Sequence, residues 1–362
     1  MIKFLKKLPL VYDFEVKNHT IFILRGEMLS RSVLIYDALF NERVLIENIV
    51  IPSFRVISDS LSVYSKGKAF EFLKESNFEK PNVFVNFFPK YKNKNTLIGD
   101  FREEDNRYLQ SKNIDNGEIF WTLPISSTIF LIDTQIYLVK FTENLQKREI
   151  VVFDFQTGLP LWNYTLPEVE YSQGSNYPPA VSKGIVNILG VYRGIVWIIN
   201  DIGHLIGLDS ETGKCNYHLK TPVNIPTEWG NWEVFVYAKK SYIDTEKGII
   251  FGLDHVYYWE CDLNNPTESY LLYDISETSK EHSIVPDLKG NWLGDEIFFG
   301  QNSFAQDPSF AGIFNRQTRQ ITWTSRELGD EGVFKGINKI EYQACRLYVL
   351  DKASTLHIFE KA

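Results

Sequence analysis

Hydrophobic and polar positions alternate with a period of two along most of this chain. Segments such as "EIVVFDF" (149–155), "GIVWIIN" (194–200) and "SYLLYDI" (269–275) are short, apolar on alternate residues, and bounded by Gly, Asp, Asn or Pro. That pattern predicts strands joined by tight turns, since side chains of a strand point alternately to its two faces. The strands fall into sets of four. "TIFLIDTQIYLVKFTE" (128–143) reads as two strands, followed by "REIVVFDF" (148–155) and "PLWNYTL" (160–166). "IVNILG", "GIVWIIN", "HLIGLD" and "CNYHLK" make a second set between 185 and 220, and "WEVFVYAKK", "GIIFGL", "VYYWECD" and "SYLLYDI" a third between 232 and 275.

One motif punctuates these sets. In "FDFQTGLPLWNY" Asp154 is followed by Thr157, Gly158 and Trp162; in "LDSETGKCNYHL" Asp209 is followed by Thr212, Gly213 and Tyr217. Weaker copies run through Asn113, Asn116, Gly117 and Trp121, through Asp262, Asn265 and Tyr270, and through Asn315, Thr318 and Trp323. The closing aromatics are 41, 55, 53 and 53 residues apart, the period of a propeller blade. The chemistry is that of a hairpin. Asp or Asn accepts hydrogen bonds from the backbone just ahead, and Gly supplies the positive φ that closes the turn. The aromatic on the returning strand then packs against the next sheet.

The predicted fold is therefore all-β: one β-propeller domain over residues 1–362, of seven or eight four-stranded blades. The last stretch, "IEYQACRLYVLDKASTLHIFEKA", reads as three strands, and the N-terminal "IKFLKKL" is expected to supply the fourth and close the ring. Residues 52–124 carry seven candidate strands, between the number for one blade and for two, so the blade number stays open.

Composition agrees and narrows the function. Aromatics make up 15% of the chain, with 26 Phe and 19 Tyr, a bias towards pleated surfaces. The net charge is −8 and the densest basic stretch is only "KYKNKN" (90–95), so a nucleic-acid binder is not expected. Cys215, Cys261 and Cys345 form neither a zinc spacing nor a disulfide framework and are expected to be buried free thiols. "MIKFLKKLPLVYDFEV" lacks the apolar core of a secretory signal and no run is long enough to span a membrane, which leads to the expectation of a soluble cytoplasmic chain.

The Asp-x-x-Thr-Gly-x-x-x-Trp spacing resembles the tryptophan-docking repeat of the pyrroloquinoline-quinone-like β-propeller superfamily, over about two-thirds of the chain counted as repeats. The resemblance implies the propeller fold and structural roles for Trp121, Asp154, Gly158, Trp162, Asp209, Gly213, Tyr217, Tyr270 and Trp323. It does not carry the catalysis of the quinoprotein dehydrogenases. Those exported enzymes hold a quinone over a calcium or lanthanide ion, often beside a pair of adjacent cysteines. This chain has no Cys-Cys pair, so no cofactor and no metal are expected.

The remaining chemistry is sparse. Six histidines show no H-E-x-x-H or H-x-H pairing, though His204 and His357 sit at comparable repeat positions. No nucleophile elbow, P-loop or dinucleotide fingerprint is present. The loops between blades differ from one another and are the expected site. "PEVEYSQGSNYPPAVSK", "TPVNIPTEWGNWE", "GQNSFAQDPSF" and "RELGDEGVFKGIN" bring Tyr171, Tyr177, Trp229, Trp232, Phe304, Phe310 and Phe334 to one face. The acids Glu168, Glu170, Glu228, Asp307, Asp330 and Glu331 lie among them. The alternative is that Trp229 and Trp232 fold back over the blades as core cover. The sequence points to a non-enzymatic, monomeric protein that binds a basic protein partner on this face, with a toxin-neutralising immunity protein as one form. The contrasting reading is an enzyme or carbohydrate-binding propeller with its site at the central channel mouth.

Overall fold

The computed structural model describes residues 2–17, 20–27, 30–49, 53–57, 60–65, 68–73, 76–79, 87–93, 96–103, 106–113, 116–125, 128–141, 147–168, 170–171, 180–182, 184–219, 223–227, 230–234, 241–267, 269–301 and 308–361. For part of these, including 43–49, 53–57, 60–65, 68–73, 76–79, 87–90, 223–227 and 230–234, it describes the backbone alone. Among the described residues there are eight four-stranded antiparallel sheets and two separate two-stranded ones. The fold is a β-propeller. In chain order the blades occupy 11–49, 53–79, 87–124, 128–165, 185–219, 241–274, 288–324 and 337–361 with 2–8. The stretch 52–124, ambiguous in sequence, thus forms two blades.

The chain divides into two compact units, residues 126–289 and residues 1–125 with 290–362. In the second of these, the N-terminal strand Ile2–Leu8 pairs antiparallel with the last strand, Leu356–Lys361, from Ile2 opposite Lys361 to Leu8 opposite Leu356. The final blade is completed by the first strand, as its sequence implied. Val11 continues directly, its N–H donating 2.8 Å to the Ser354 carbonyl, so the first blade is tied to the last. Phe14, Ile23, Tyr348 and Ile358 share one core between these two sheets.

Within 126–289 the first strands of successive blades lie side by side, Thr128–Ile132 against Ile185–Tyr192 and the latter against Ser241–Asp244. Apolar residues on both faces of the middle strands then fill the space between sheets. Ile195–Asn200 is buried along nearly its whole length, because a middle strand is covered on both sides. Burial of each such Val, Leu or Ile side chain stabilises the fold by about 1.5–3 kcal/mol.

The repeated motif behaves as its chemistry predicts. Asp154 Oδ1 accepts from the N–H groups of Gln156 (3.0 Å) and Thr157 (2.7 Å) and from the Thr157 hydroxyl (2.8 Å). Asp209 does the same with Glu211 and Thr212. Gly158 and Gly213 take φ of 67° and 71°, and each N–H closes onto the carbonyl of its Asp at 2.9 Å. The degenerate copy at Asn315 keeps the turn with Arg319 in the left-handed position, φ 59°. Trp162 leaves its own blade: its Nε1–H donates 2.9 Å to the Ser210 carbonyl in the next blade's turn, and its ring covers Gly213. Trp121, Trp162 and Trp323 are buried, each on the fourth strand of its blade; Tyr217 and Tyr270 stack on Trp197 and Trp259 of theirs.

Three expectations change. "WEVFVYAKK" does not open the blade at 241–274. Gly230–Val234 pairs instead with Val223–Thr227 as a separate hairpin, and Ser241–Asp244 is the first strand. Of the three thiols only Cys261 is buried; Cys215 and Cys345 stand exposed beside turns. The connections are not all strand and loop, since Ser276–Glu281 is α-helical and Ser325–Gly332 is 3-10. Among the described residues no helix is long and apolar enough to cross a membrane.

Candidate functional site

Within a blade the turns after the first and third strands lie at one end of the sheet. The turns after the second strand, and the connections to the next blade, lie at the other. The Asp-Thr-Gly turns belong to the first end. The unlike loops singled out by the sequence belong to the second, where a rigid scaffold can vary its loops without disturbing its core.

Two connections in unit 126–289 carry additional structure. Between the blades at 128–165 and 185–219, Glu170–Tyr171 pairs with Ala180–Val181; between those at 185–219 and 241–274, Val223–Thr227 pairs with Gly230–Val234. Neither hairpin joins a four-stranded sheet. Tyr171 lies on the first hairpin and Trp232 on the second, opposite Ile225. Tyr177, Glu228, Trp229, Phe304 and Asp307 lie outside the described residues. Glu168, at the root of the first hairpin, is exposed and pairs with Arg148 at 2.5 Å. That guanidinium is itself buried and also donates to the Leu166 carbonyl at 3.2 and 3.0 Å, fixing where the connection leaves the blade.

The connection at 325–336 departs from the sequence reading. Phe310 and Phe334 were expected on the binding face, yet both are buried, with 5% and 1% of their surface accessible. Ser309 and Phe334 exchange backbone hydrogen bonds at 2.9 and 3.0 Å, which draws the connection onto the blade. Phe334 then meets His357 and Phe359 edge-on, and the Arg326 guanidinium lies 3.5 Å from the Phe310 ring centre. Two large apolar rings gain more by this burial than by standing in water. The 3-10 turn that makes the fold possible is capped by Glu327, whose carboxylate accepts from Thr324 N–H at 3.2 Å. It needs glycine at 332, where a Cβ would sit 1.7 Å from the Ser325 carbonyl oxygen. Asp330 and Glu331 remain exposed there, as do Arg326, Val333 and Lys335.

Charge separates along the chain in a way the total conceals. Residues 126–289 hold twelve Lys and Arg against twenty-one Asp and Glu, a net −9, so the rest of the chain is close to neutral at +1. The acidic stretch is also the one with the two added hairpins.

The histidines divide by environment. His357 is buried with its Nε2 3.0 Å from Asp351 Oδ2, under Phe334. His204 is buried with Nδ1 3.3 Å from His218 Nε2. His255 is exposed and pairs with Asp254 at 2.8 Å, with Asp287 nearby, the one group of three potential metal ligands among the described residues. Sequence reasoning missed it because Asp287 is remote in the chain and Asp-His is an unremarkable dipeptide.

No protein-family model and no curated protein matches the chain. Solved structures do. Sqt1 of Saccharomyces cerevisiae superposes with a TM-score of 0.58 at 11% identity, covering 98% of this chain and 96% of that one. The computationally designed Ika8 protein gives 0.53 at 8% identity, over 97% and 96%. The quinohemoprotein alcohol dehydrogenase ADHIIG of Pseudomonas putida HK5 gives 0.52 at 8% identity, over 99% and 76%. At these identities the likeness is one of fold alone.

Proposed function

We propose that this chain is a non-enzymatic, cytoplasmic interaction protein that binds a basic protein partner through the loops joining its blades. One observation carries the reading: two hairpins outside the blades occupy successive connections of the unit that bears a net −9. Added elements on a regular scaffold are where binding residues concentrate, and a one-signed surface raises the association rate of an oppositely charged partner. Tyr171, Trp229 and Trp232 supply the aromatic anchors, and Glu168, Glu170 and Glu228 the acids. On the other unit Asp330 and Glu331 are exposed, whereas Phe310 and Phe334 are buried and take no part. Neutralisation of a basic effector enzyme is one concrete form of this activity.

The test is affinity capture of the tagged full-length chain from its native cell, followed by mass spectrometry and reconstitution. A single stoichiometric basic protein whose association slows steeply with added salt is the expected result. A chain that captures no protein and is stabilised only by a small sugar or a quinone would sink the proposal.

A further inference from the structure

We propose that Asp254, His255 and Asp287 form a divalent-metal site of the zinc class on the loop end of the blade at 241–274. Their ligand atoms lie within 4.8 Å of one another. The donor set is mixed, one imidazole and two carboxylates, which suits zinc and its first-row neighbours better than calcium or magnesium. Three protein ligands leave positions for water or for a group from another molecule.

The three donors come from two separate parts of the chain that the backbone holds together. Asp254 and His255 sit at the turn between the second and third strands of the blade, and Asp287 on the connection leaving it. His255 N–H donates 2.7 Å to the Pro286 carbonyl, the residue before Asp287. At the other end of the same connection, Ile275 N–H donates 2.8 Å to the Val256 carbonyl, the residue after His255. The turn is therefore held from both sides, and little ordering remains for a metal to impose.

Burial points the same way. The Asp254 side chain is only 18% accessible and Asp287 is half-buried. A doubly charged cation is attracted to two partly desolvated carboxylates held this close together. His255, 61% accessible, leaves the site open to solvent and to an entering ion. The inference stands independently of the proposed function.

Isothermal titration of the EDTA-treated full chain with Zn2+ tests it, with melting temperature as a second readout. One saturable site per chain and a Zn2+-dependent rise in melting temperature are expected. Asp287→Asn and His255→Asn should each weaken binding tenfold or more while the metal-free chain melts as before. Asn is chosen at 255 because it tolerates the positive φ there, 52°. Cys215→Ser and Asp330→Asn should bind as the parent chain does. The absence of a saturable site would overturn the proposal. So would binding that survives both Asn variants, or that is lost in Cys215→Ser.

Discussion

Replacing Trp162 by Ala tests whether the repeated motif joins blade to blade. The indole is 8% accessible and its neighbours include Tyr137, whose ring centre lies 6.0 Å away edge-on. Truncating a buried aromatic costs about 3–5 kcal/mol, from lost transfer energy and the cavity left behind. The Nε1–H bond to Ser210 contributes about 0.5–1.5 kcal/mol of its own. That carbonyl also accepts from Gln135 Nε2 at 3.2 Å, so losing the indole does not orphan it. Trp162→Phe, which keeps most of the ring, should therefore cost only about 1–2 kcal/mol. Across the interface, a Cβ on Gly213 would meet Trp162 Cε3 at 2.5 Å, with φ already at +71°. Gly213→Ala should destabilise by about 1–3 kcal/mol, and part of that loss should vanish in Trp162→Ala, where the ring no longer obstructs. Urea unfolding with a shared m-value is the assay. A loss below about 1 kcal/mol for Trp162→Ala would refute the wedge. Strict additivity with Gly213→Ala would refute the contact.

The other predictions concern turns, buried acids and thiols. Partial burial acts to raise the Asp154 carboxyl, but hydrogen bonds from Thr157 and Gln156 outweigh it and hold it below the ordinary range. Its contribution is present above that range and lost as pH falls through the folded value, so Asp154→Asn should flatten the acid limb of a melting-temperature profile. Glu341 runs oppositely: burial raises it, Lys339 lowers it in part, and Glu15 and Asp13 raise it further. Stability there falls as pH rises from the ordinary carboxylate range through the raised value. Glu341→Gln should remove that loss, and an unchanged pH profile would refute the assignment. Burial pushes the Cys261 thiol up to about 11. A thiol reagent on the native chain should modify Cys215 and Cys345 and reach Cys261 only on unfolding.

Much of the fold was legible because its chemistry is local and repeated. Asp154, Thr157 and Gly158 make their turn with one another, and strand alternation sets which side of Trp162 faces the next blade. The blade formed by Ile2–Leu8 with the C-terminal strands was readable because three terminal strands without a fourth imply a partner elsewhere. The hairpin at 223–234 was not, since an apolar alternating run looks the same in a blade as outside one. Phe310 and Phe334 misled for a related reason. An aromatic in a polar loop can stand out or fold under, and the choice rests on Ser309, Gly332 and Arg326, whose roles appear only in three dimensions. The charge segregation was in the sequence throughout, but it needed the unit boundaries at 125 and 289 to become visible.

The proposed function rests most directly on the hairpin that carries Trp232. The decisive measurement is the affinity of the captured partner for the parent chain and for the paired replacement Glu228→Lys with Trp229→Ala, at matched melting temperature. Weakening by a hundredfold or more, with a reduced dependence on salt, is the predicted result, as expected for an aromatic anchor beside a steering charge. Unchanged affinity in a folded variant would contradict the account.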